Sequence, residues 1–293
     1  MKKVGFIGLG VMGSNMAKNL INHVDQLNII SRNSKKTLNF VSKLKKNKKL
    51  KIFDTLEDLT KQSNIIISCV GNDRDLKDIF LTKKGIINYV SKNTVIIDHT
   101  TASAEITEVL HKQFLIKKCL FYDAPVSGGE IGAINGTLSI MIGGNKKKIN
   151  LIKNIVSNYS KSIIYMGKSG NGQLTKMVNQ ICVASIIQGL AEGLFFAKKK
   201  KLNVDDLMKV IGNGAGQSWQ FDNRTKTMWD NKFNFGFMNK LMLKDLKIIL
   251  KETKNVNINL PITKIIKGYY SNLVKKGYSH EDTSNLIRLL NKN

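Results

Sequence analysis

The sequence has few cysteines and few histidines, which limits its metal and disulfide chemistry. Only three cysteines occur in 293 residues, Cys69, Cys119 and Cys182, and no two of them form a C-x-x-C pair. The four histidines show no metal-ligand spacing either. We therefore expect buried, reduced thiols, without a disulfide framework and without a metal site.

Arginine is scarce in a chain whose formal net charge is +26. Only four of the 47 basic residues are arginine. Arginine reads base edges and clamps phosphates with a planar fork, so a specific nucleic-acid-binding protein is seldom this poor in it. We expect the charge to lie on solvated lysines, and any DNA binding to be weak and to fall with salt.

A long apolar leader is also lacking, because MKKVGFIG reaches a glycine after a short apolar run. We expect a cytoplasmic location. Residues 177–197 form an apolar run with Glu192 as its only charge, and by length this run could span a membrane. Its amide side chains favour instead a helix buried between domains or subunits. We therefore expect no membrane partner, and a homodimer or homotetramer.

The first half of the chain alternates β-branched runs such as NIIISCV and TVIID with helical segments. This alternation is typical of an α/β Rossmann-type, doubly wound sheet. The strand signals stop after Gly167, and the rest reads as helical without a Pro-rich linker. We predict a dinucleotide-binding domain over 1–165 and an all-α C-terminal domain over 166–293.

The first motif with chemical content is VGFIGLGVMGS, which carries a G-x-G-x-x-G pattern after a predicted strand and at the start of a helix. Such glycines let the backbone approach a pyrophosphate that faces the helix N-terminus. The alternative is a plain glycine-rich turn. The predicted cofactor residues here are Gly8, Leu9, Gly10, Val11, Met12 and Gly13.

The second predicted strand ends in IISRN, where NAD-binding proteins carry an acid that holds the ribose 2′-hydroxyl. No acid is present in this segment, and Arg32 follows Ser31. A guanidinium there can hold a 2′-phosphate. Ser31, Arg32 and Asn33 therefore predict a preference for NADP over NAD, unless Arg32 is only a surface residue.

Two further segments carry candidate substrate chemistry. In DAPVSGG, Ser127, Gly128 and Gly129 follow a strand end and offer a hydroxyl and backbone N–H groups to a carboxylate, although Ser-Gly-Gly is also an ordinary turn. In GNGQLTKMVNQ, Lys176 lies about one turn inside a long apolar helix. A lysine on a solvated face is the alternative to a functional one.

Four motifs in this order resemble the β-hydroxyacid dehydrogenase family: GLGVMGSNMAKNL, DAPVSGGEIGAINGTLSIMIGG, GNGQLTKMVNQ and FNFGFMNKLMLKDL. The family includes 3-hydroxyisobutyrate dehydrogenase, tartronate semialdehyde reductase and the glyoxylate and succinic semialdehyde reductases. The resemblance covers nearly the whole chain. It implies a Rossmann domain and a helical domain joined by the long helix, with the active site in the cleft between them.

The resemblance also implies roles for individual residues. Lys176 matches the family's catalytic lysine, and Asn179 and Gln180 match the polar pair after it. Gln180 stands where the family often has Asn, which leaves open which of the two contacts substrate. Further matching positions are Ser127, Gly128, Gly129, Phe237 and Asp245 on the substrate side, and Val70, Thr100, Thr101 and Lys244 on the cofactor side.

The lysine has a physical reason to act as the acid and base. Oxidation of a hydroxy acid moves a hydride to the nicotinamide, and a nearby group must take the hydroxyl proton. A helix N-terminus, a nicotinamide cation and partial desolvation would each disfavour a charged lysine and lower its pKa.

We therefore expect an NAD(P)-dependent enzyme that interconverts a short β-hydroxy acid and its semialdehyde, with 3-hydroxyisobutyrate as the leading substrate. Glyoxylate, succinic semialdehyde and tartronate semialdehyde remain alternatives. The alternative of another class is a non-catalytic nucleic-acid- or chromatin-associated protein.

Overall fold

The computed structural model describes residues 2–42, 44 and 47–290. The chain divides into two compact units, Met1–Lys176 and Met177–Asn293. The division falls inside one long helix, whereas the sequence placed the boundary at 165/166. Each unit has its own hydrophobic core and is described separately below.

The first unit is built on one sheet, to which nine strands contribute within the described residues. β-branched and aliphatic runs form its central strands, which are buried on both faces as parallel strands require. The strands are β1 (Lys3–Ile7), β2 (Gln26–Ile30), β3 (Leu50–Ile52), β4 (Ile65–Ser68), β5 (Val95–Asp98), β6 (Leu120–Asp123), β7 (Val126–Ser127), β8 (Leu138–Gly143) and β9 (Ser160–Gly167).

The sheet order is β3-β2-β1-β4-β5-β6-β8-β7, with β9 paired to β8. The first six strands are parallel, and their order is that of a doubly wound dinucleotide-binding sheet. β8 runs antiparallel to β6 and β7 and parallel to β9. The chain reverses its winding direction between β1 and β4, and the ends of these two strands therefore mark the ligand edge.

Helices connect these strands, and several begin at side-chain caps. Asn72 and Ser103 accept hydrogen bonds from the N–H groups of Asp75 and Ile106 and so begin α4 and α5. The helices are α1 (Val11–Leu20), α2 (Ser34–Ser42), α3 (Leu56–Lys61), α4 (Asp73–Phe80), α5 (Ala104–Ile116), α6 (Gly129–Asn135) and α7 (Ile149–Val156).

The second unit is helical. α8 (Asn171–Lys199) begins in the first unit and continues into the second, where α9 (Val204–Ile211), α10 (Trp219–Trp229), α11 (Asn239–Asn255) and α12 (Pro261–Lys275) follow. Pro261 stands in the first turn of α12, where its missing N–H is harmless. A 3₁₀ segment, Thr283–Leu290, completes the unit and packs on α12.

Within the described part of the chain, α8 is the helix that is long and apolar enough to cross a membrane. A core helix of a soluble protein meets the same criterion. Ala184, Ile187 and Ala191 of α8 lie in the core of the second unit, together with Met242 and Tyr270.

The predicted fold class, a Rossmann-type sheet followed by an all-α region, is confirmed. The expectation of buried thiols is wrong for Cys182, which is exposed on α8, and Cys69 is only partly buried. The apolar neighbours of Cys182 in sequence misled the prediction, because a helix places adjacent residues on different faces.

Candidate active site

The glycine motif forms the connection between β1 and α1. Gly8 has a φ of +99°, and a Cβ there would overlap the carbonyl oxygen of Cys69. Gly10 stands at the N-cap of α1 without a side-chain cap among the described residues, and a Cβ at Gly10 would meet nothing within 4 Å. The helix N-terminus thus faces open space that a pyrophosphate can enter, and the residues present fit a dinucleotide.

A carboxylate lies beside the residue predicted to select NADP. The guanidinium Nη2 of Arg32 is 2.9 Å from Oδ1 of Asp75, with the Arg32 side chain 73% exposed. The second oxygen of Asp75 accepts a hydrogen bond from the N–H of Gly71 at 3.0 Å. The sequence analysis found no acid in the segment after β2, and the structure supplies one from α4 instead. Asp75 is a residue that the sequence analysis missed.

Asp98 lies between two segments predicted to contact the cofactor. Its buried Oδ1 accepts hydrogen bonds from Ser68 Oγ at 2.6 Å and from Thr100 Oγ1 at 2.7 Å. Thr100 Oγ1 in turn accepts the N–H of Val70 at 3.0 Å. The carboxylate therefore brings Val70 and Thr100 together at the ends of β4 and β5.

Two neighbouring buried groups at this edge have shifted pKa values of opposite sign. Burial raises the pKa of Asp98 to about 7, against the hydrogen bonds from Ser68 and Thr100. Burial lowers the pKa of His99 to about 4. The Nδ1 of His99 lies 2.6 Å from the carbonyl oxygen of Ala124 and its Nε2 lies 2.8 Å from the Tyr159 hydroxyl, which suits a neutral ring that donates to the first and accepts from the second.

These shifts make opposite contributions to stability. Unfolding lets His99 gain a proton between its ordinary pKa of 6.5 and its folded value of about 4, so its contribution falls by about 3 kcal/mol as the pH drops through this window. Asp98 binds its proton more tightly when folded. Its contribution is present at low pH and is lost as the pH rises through about 7, by about 4 kcal/mol.

We therefore predict that single variants expose opposite pH dependences. As the pH falls from about 7 toward 4, His99→Gln should become more stable relative to the wild type, and Asp98→Asn should become less stable relative to the wild type. Urea unfolding of both variants and of His23→Gln, which alters an exposed histidine, measures this. Parallel curves for all three proteins would show that neither buried group titrates as described.

The first turn of α8 is capped by Asp123, the last residue of β6. Its Oδ1 accepts the N–H of Gly170 at 2.9 Å, and its Oδ2 accepts the N–H of Gln173 at 3.0 Å. Burial raises the pKa of Asp123, and these N–H groups oppose the rise. A carboxylate at a helix N-terminus satisfies otherwise unpaired donors and suits the helix dipole.

Gln173 links the same turn to the segment after β5. Its Nε2 donates to the carbonyl oxygen of Thr100 at 2.7 Å, and its Oε1 accepts the N–H of Ala102 at 3.1 Å. Lys176 follows one turn later, and 7% of it is exposed. The alternative of a lysine on a solvated face is therefore wrong for this structure.

The predicted carboxylate segment lies at the turn between β7 and α6. Ser127 is the last residue of β7, paired with Ser139 of β8, and Gly128 and Gly129 have φ values of +123° and +62°. A Cβ at Gly129 would meet nothing within 4 Å. The turn thus presents backbone to open space, and its Gly128 lies five residues after the Asp123 cap.

In the second unit, the predicted polar residues form one network. Gln180 Nε2 donates to Asp245 Oδ2 at 2.6 Å, and Asn179 Nδ2 donates to Gln180 Oε1 at 2.8 Å. Lys244 Nζ lies 3.1 Å from Asp245 Oδ1. The two atoms form an ion pair, but its angles do not meet the geometry of a hydrogen bond. Asp245 is 3% exposed, so these partners compensate the burial of its carboxylate.

Phe237 belongs to a loop that a second buried carboxylate organises. Its N–H donates to Asp282 Oδ2 at 2.9 Å, and its carbonyl accepts the N–H of Thr283 at 2.8 Å. Asp282 Oδ1 also accepts from Arg224 Nε at 3.1 Å. These hydrogen bonds therefore fix the backbone of Phe237. They are separate from the network of Gln180 and Asp245 in the same unit.

The structure brings the predicted residues together in three sets. The glycine motif stands at the ligand edge of the sheet, and the N–H of Val70 donates directly to the Thr100 hydroxyl. The network in the second unit contains Asn179, Gln180, Lys244 and Asp245. Asp75, Asp98 and Gln173 were not predicted from the sequence, and Asp123 was noted there only as the first residue of DAPVSGG. Asp98 and Asp123 each end a buried strand, and that position was the available signal.

The fold and the glycine cradle define a dinucleotide-binding protein, and comparison with known proteins identifies its family. The domain described as the NAD binding domain of 6-phosphogluconate dehydrogenase matches residues 3–167. The domain described as NAD-binding of NADP-dependent 3-hydroxyisobutyrate dehydrogenase matches residues 170–290. The chain belongs to the β-hydroxyacid dehydrogenase family and is an NAD(P)-dependent oxidoreductase.

Individual relatives cover the chain almost completely. An uncharacterized oxidoreductase of Shewanella frigidimarina is 40% identical, over 100% of this chain and 99% of the relative. The 2-hydroxy-3-oxopropionate reductase of Escherichia coli is 32% identical, over 98% and 97%. The structure of Mycobacterium tuberculosis 3-hydroxyisobutyrate dehydrogenase with L-serine has a TM-score of 0.89 at 22% identity and covers 100% of both chains, which shows the shared fold.

Proposed function

We propose that this protein interconverts a short β-hydroxy acid and its semialdehyde with NADP as the preferred cofactor, and that 3-hydroxyisobutyrate is the leading substrate. The observation that carries the proposal is the burial of Lys176. Lys176 lies one turn after Gln173, whose side chain is hydrogen-bonded to the backbone of Thr100. A lysine held out of bulk solvent beside the proposed cofactor segment is positioned to act as a general acid and base.

The chain's own residues would perform three tasks. Gly8, Gly10 and Gly13 would admit the pyrophosphate, and the bound nicotinamide would supply the hydride chemistry. Ser127 and the backbone of Gly128 and Gly129 would hold the substrate carboxylate. Lys176 Nζ would accept the hydroxyl proton during oxidation and return it during reduction. The remaining proposed substrate contacts are Asn179, Gln180, Phe237 and Asp245, and the remaining proposed cofactor contacts are Leu9, Val11, Met12, Ser31, Arg32, Asn33, Val70, Thr100, Thr101 and Lys244.

A panel of short acids tests the substrate. 3-Hydroxyisobutyrate, glycerate, 4-hydroxybutyrate and glycolate are assayed with NADP+ and NAD+, and the matching aldehydes with the reduced cofactors. We expect the highest kcat/KM for 3-hydroxyisobutyrate. A higher kcat/KM for tartronate semialdehyde would favour the second candidate substrate. The Escherichia coli relative named 2-hydroxy-3-oxopropionate reductase is the reason to include it. Turnover of no panel member would contradict the proposal.

We also propose a cytoplasmic protein without specific nucleic-acid or membrane partners. The relatives named above are an oxidoreductase, a reductase and a dehydrogenase, so the alternative of a chromatin-associated binding protein receives no support from them. The charge of +26 would then attract nucleic acid only through phosphates, and such binding falls steeply with salt.

An apolar stripe along α8 supports the proposal of a homo-oligomer. Val178, Ile186 and Phe196 are 60%, 41% and 62% exposed. Gly189 and Gly193 lie on the same face by helical spacing, and a Cβ at either would meet nothing within 4 Å. A contiguous exposed apolar face with small residues suits close approach of the same helix from a second copy.

We predict that Ile186→Glu dissociates the oligomer, because the new charge would be buried at the interface. Val210→Glu is the matched control, since Val210 is a 74% exposed apolar residue on α9, away from the stripe. Light scattering after gel filtration, without detergent, should give a dimer or tetramer for the wild type and the control, and a monomer for Ile186→Glu. A monomeric wild type would remove the proposed interface.

A further inference from the structure

Gln173 is a buried amide that uses both ends of its side chain on one backbone segment. It is fully buried, its Nε2 donates to Thr100 O at 2.7 Å and its Oε1 accepts from Ala102 N at 3.1 Å. Both partners lie after the end of β5, where the strand ladder no longer supplies their hydrogen bonds. The amide thus fixes the first turn of α8 against the segment that contains Thr100 and Thr101.

Lys176 follows Gln173 by three residues on the same helix, which is a rise of roughly 4.5 Å. We propose that Gln173 is a positioning residue that holds Lys176 in register with the Thr100–Thr101 segment. This inference rests on the proposed function, in which Thr100 and Thr101 contact the cofactor and Lys176 transfers the proton.

Asp123 supplies a second, independent tie to the same turn. Its carboxylate accepts the N–H groups of Gly170 and Gln173, and a Cβ at Gly172 would press against it. Asp123 directly precedes the segment of Ser127. When the Gln173 amide is removed, the Asp123 cap still begins the helix, so the helix should persist while its orientation toward Thr100 loosens.

The consequence is specific to the chemical step. Proton and hydride transfer need the lysine, the hydroxyl and the nicotinamide aligned together, and a displacement of about 1 Å can lower the rate on the order of 10²-fold. Cofactor affinity depends mainly on the glycine cradle, which Gln173 does not touch. Loss of the tie should therefore lower kcat and leave the KM for NADP+ unchanged.

The first part of the test compares two buried glutamines on α8. Gln173→Met keeps the side-chain length and removes both hydrogen bonds. Gln188→Met is the matched control, because Gln188 is also buried and its amide donates to Glu192 of the same helix, at 2.7 Å. With 3-hydroxyisobutyrate and NADP+, we expect kcat to fall roughly ten- to hundredfold for Gln173→Met and to remain near the wild-type value for Gln188→Met.

A double-mutant cycle separates positioning from general damage. If Gln173 acts through Lys176, Gln173→Met should add no further loss in the Lys176→Ala background. Losses that multiply would overturn the inference, as would a raised KM for NADP+ with unchanged kcat. Near-normal activity of Lys176→Ala alone would instead overturn the proposed function. If Gln173→Met fails to fold, Gln173→Glu, which keeps the acceptor for Ala102 and removes the donor to Thr100, enters the same cycle.

Discussion

Lys176→Ala should bind NADP+ normally and lose at least ~10²-fold in kcat, the usual scale for removing a positioned acid–base group. Lys176 is 7% exposed, so solvent is poorly placed to replace its proton transfer. Steady-state kinetics in both directions, with cofactor affinity measured by fluorescence, give the comparison. The loss should appear in kcat and not in the KM for NADP+.

Two controls make this result interpretable. Lys168→Ala removes an exposed lysine shortly before α8 and should leave kcat unchanged. Lys176→Arg keeps the positive charge, but a guanidinium does not release its proton in the working pH range, so this variant should be nearly as impaired as alanine. A folded Lys176→Ala protein with near-normal turnover would contradict the proposed mechanism.

Replacement of Arg32 should have the second largest effect, on the choice of cofactor. A charge-assisted hydrogen bond contributes about 1.5–3 kcal/mol, which is roughly ten- to more than hundredfold in affinity. Arg32 is 73% exposed, so salt screening should place the effect at the lower end of this range. Arg32→Ala should lower kcat/KM for NADPH far more than for NADH, and Ser31→Asp should shift the enzyme toward NADH.

Asp75 supplies the matched variant. Its carboxylate holds the Arg32 guanidinium at 2.9 Å and would compete with a 2′-phosphate for it. Asp75→Asn should therefore increase the preference for NADPH, in the opposite direction to Arg32→Ala. The measurement is kcat/KM with both cofactors for all four proteins. A wild type that prefers NADH, or an Arg32→Ala protein that loses both cofactors equally, would make Arg32 a surface residue only.

The sequence was sufficient to predict those features whose residues lie close together along the chain. The glycine motif directly follows a strand and opens a helix. The spacing of its glycines and the apolar pattern of the strand therefore locate the pyrophosphate site without information from distant residues. The long helix with Lys176 near its start was predictable for the same reason. The second unit was predicted only as helical, because amphipathic periodicity gives helices but not their packing partners.

What could not be predicted depends on pairs that are distant in sequence. Gln173 and Thr100 are 73 residues apart, and nothing near Gln173 indicates that its amide bridges two backbone groups of another segment. Asp75 meets Arg32 only because β2 and β4 flank β1 in the sheet. Cys182 was wrongly predicted to be buried, because apolar neighbours in sequence do not determine which face of a helix a residue occupies.

The most direct test of the central claim is the pH dependence of a single turnover, with 3-hydroxyisobutyrate and NADP+ mixed with excess enzyme and reduced nicotinamide followed by absorbance. The wild type should show a rate that rises with pH through one ionisation, because Lys176 must be neutral to take the hydroxyl proton. In Lys176→Ala this ionisation should vanish and the rate should be low throughout. The same ionisation in both proteins would show that another group takes the proton.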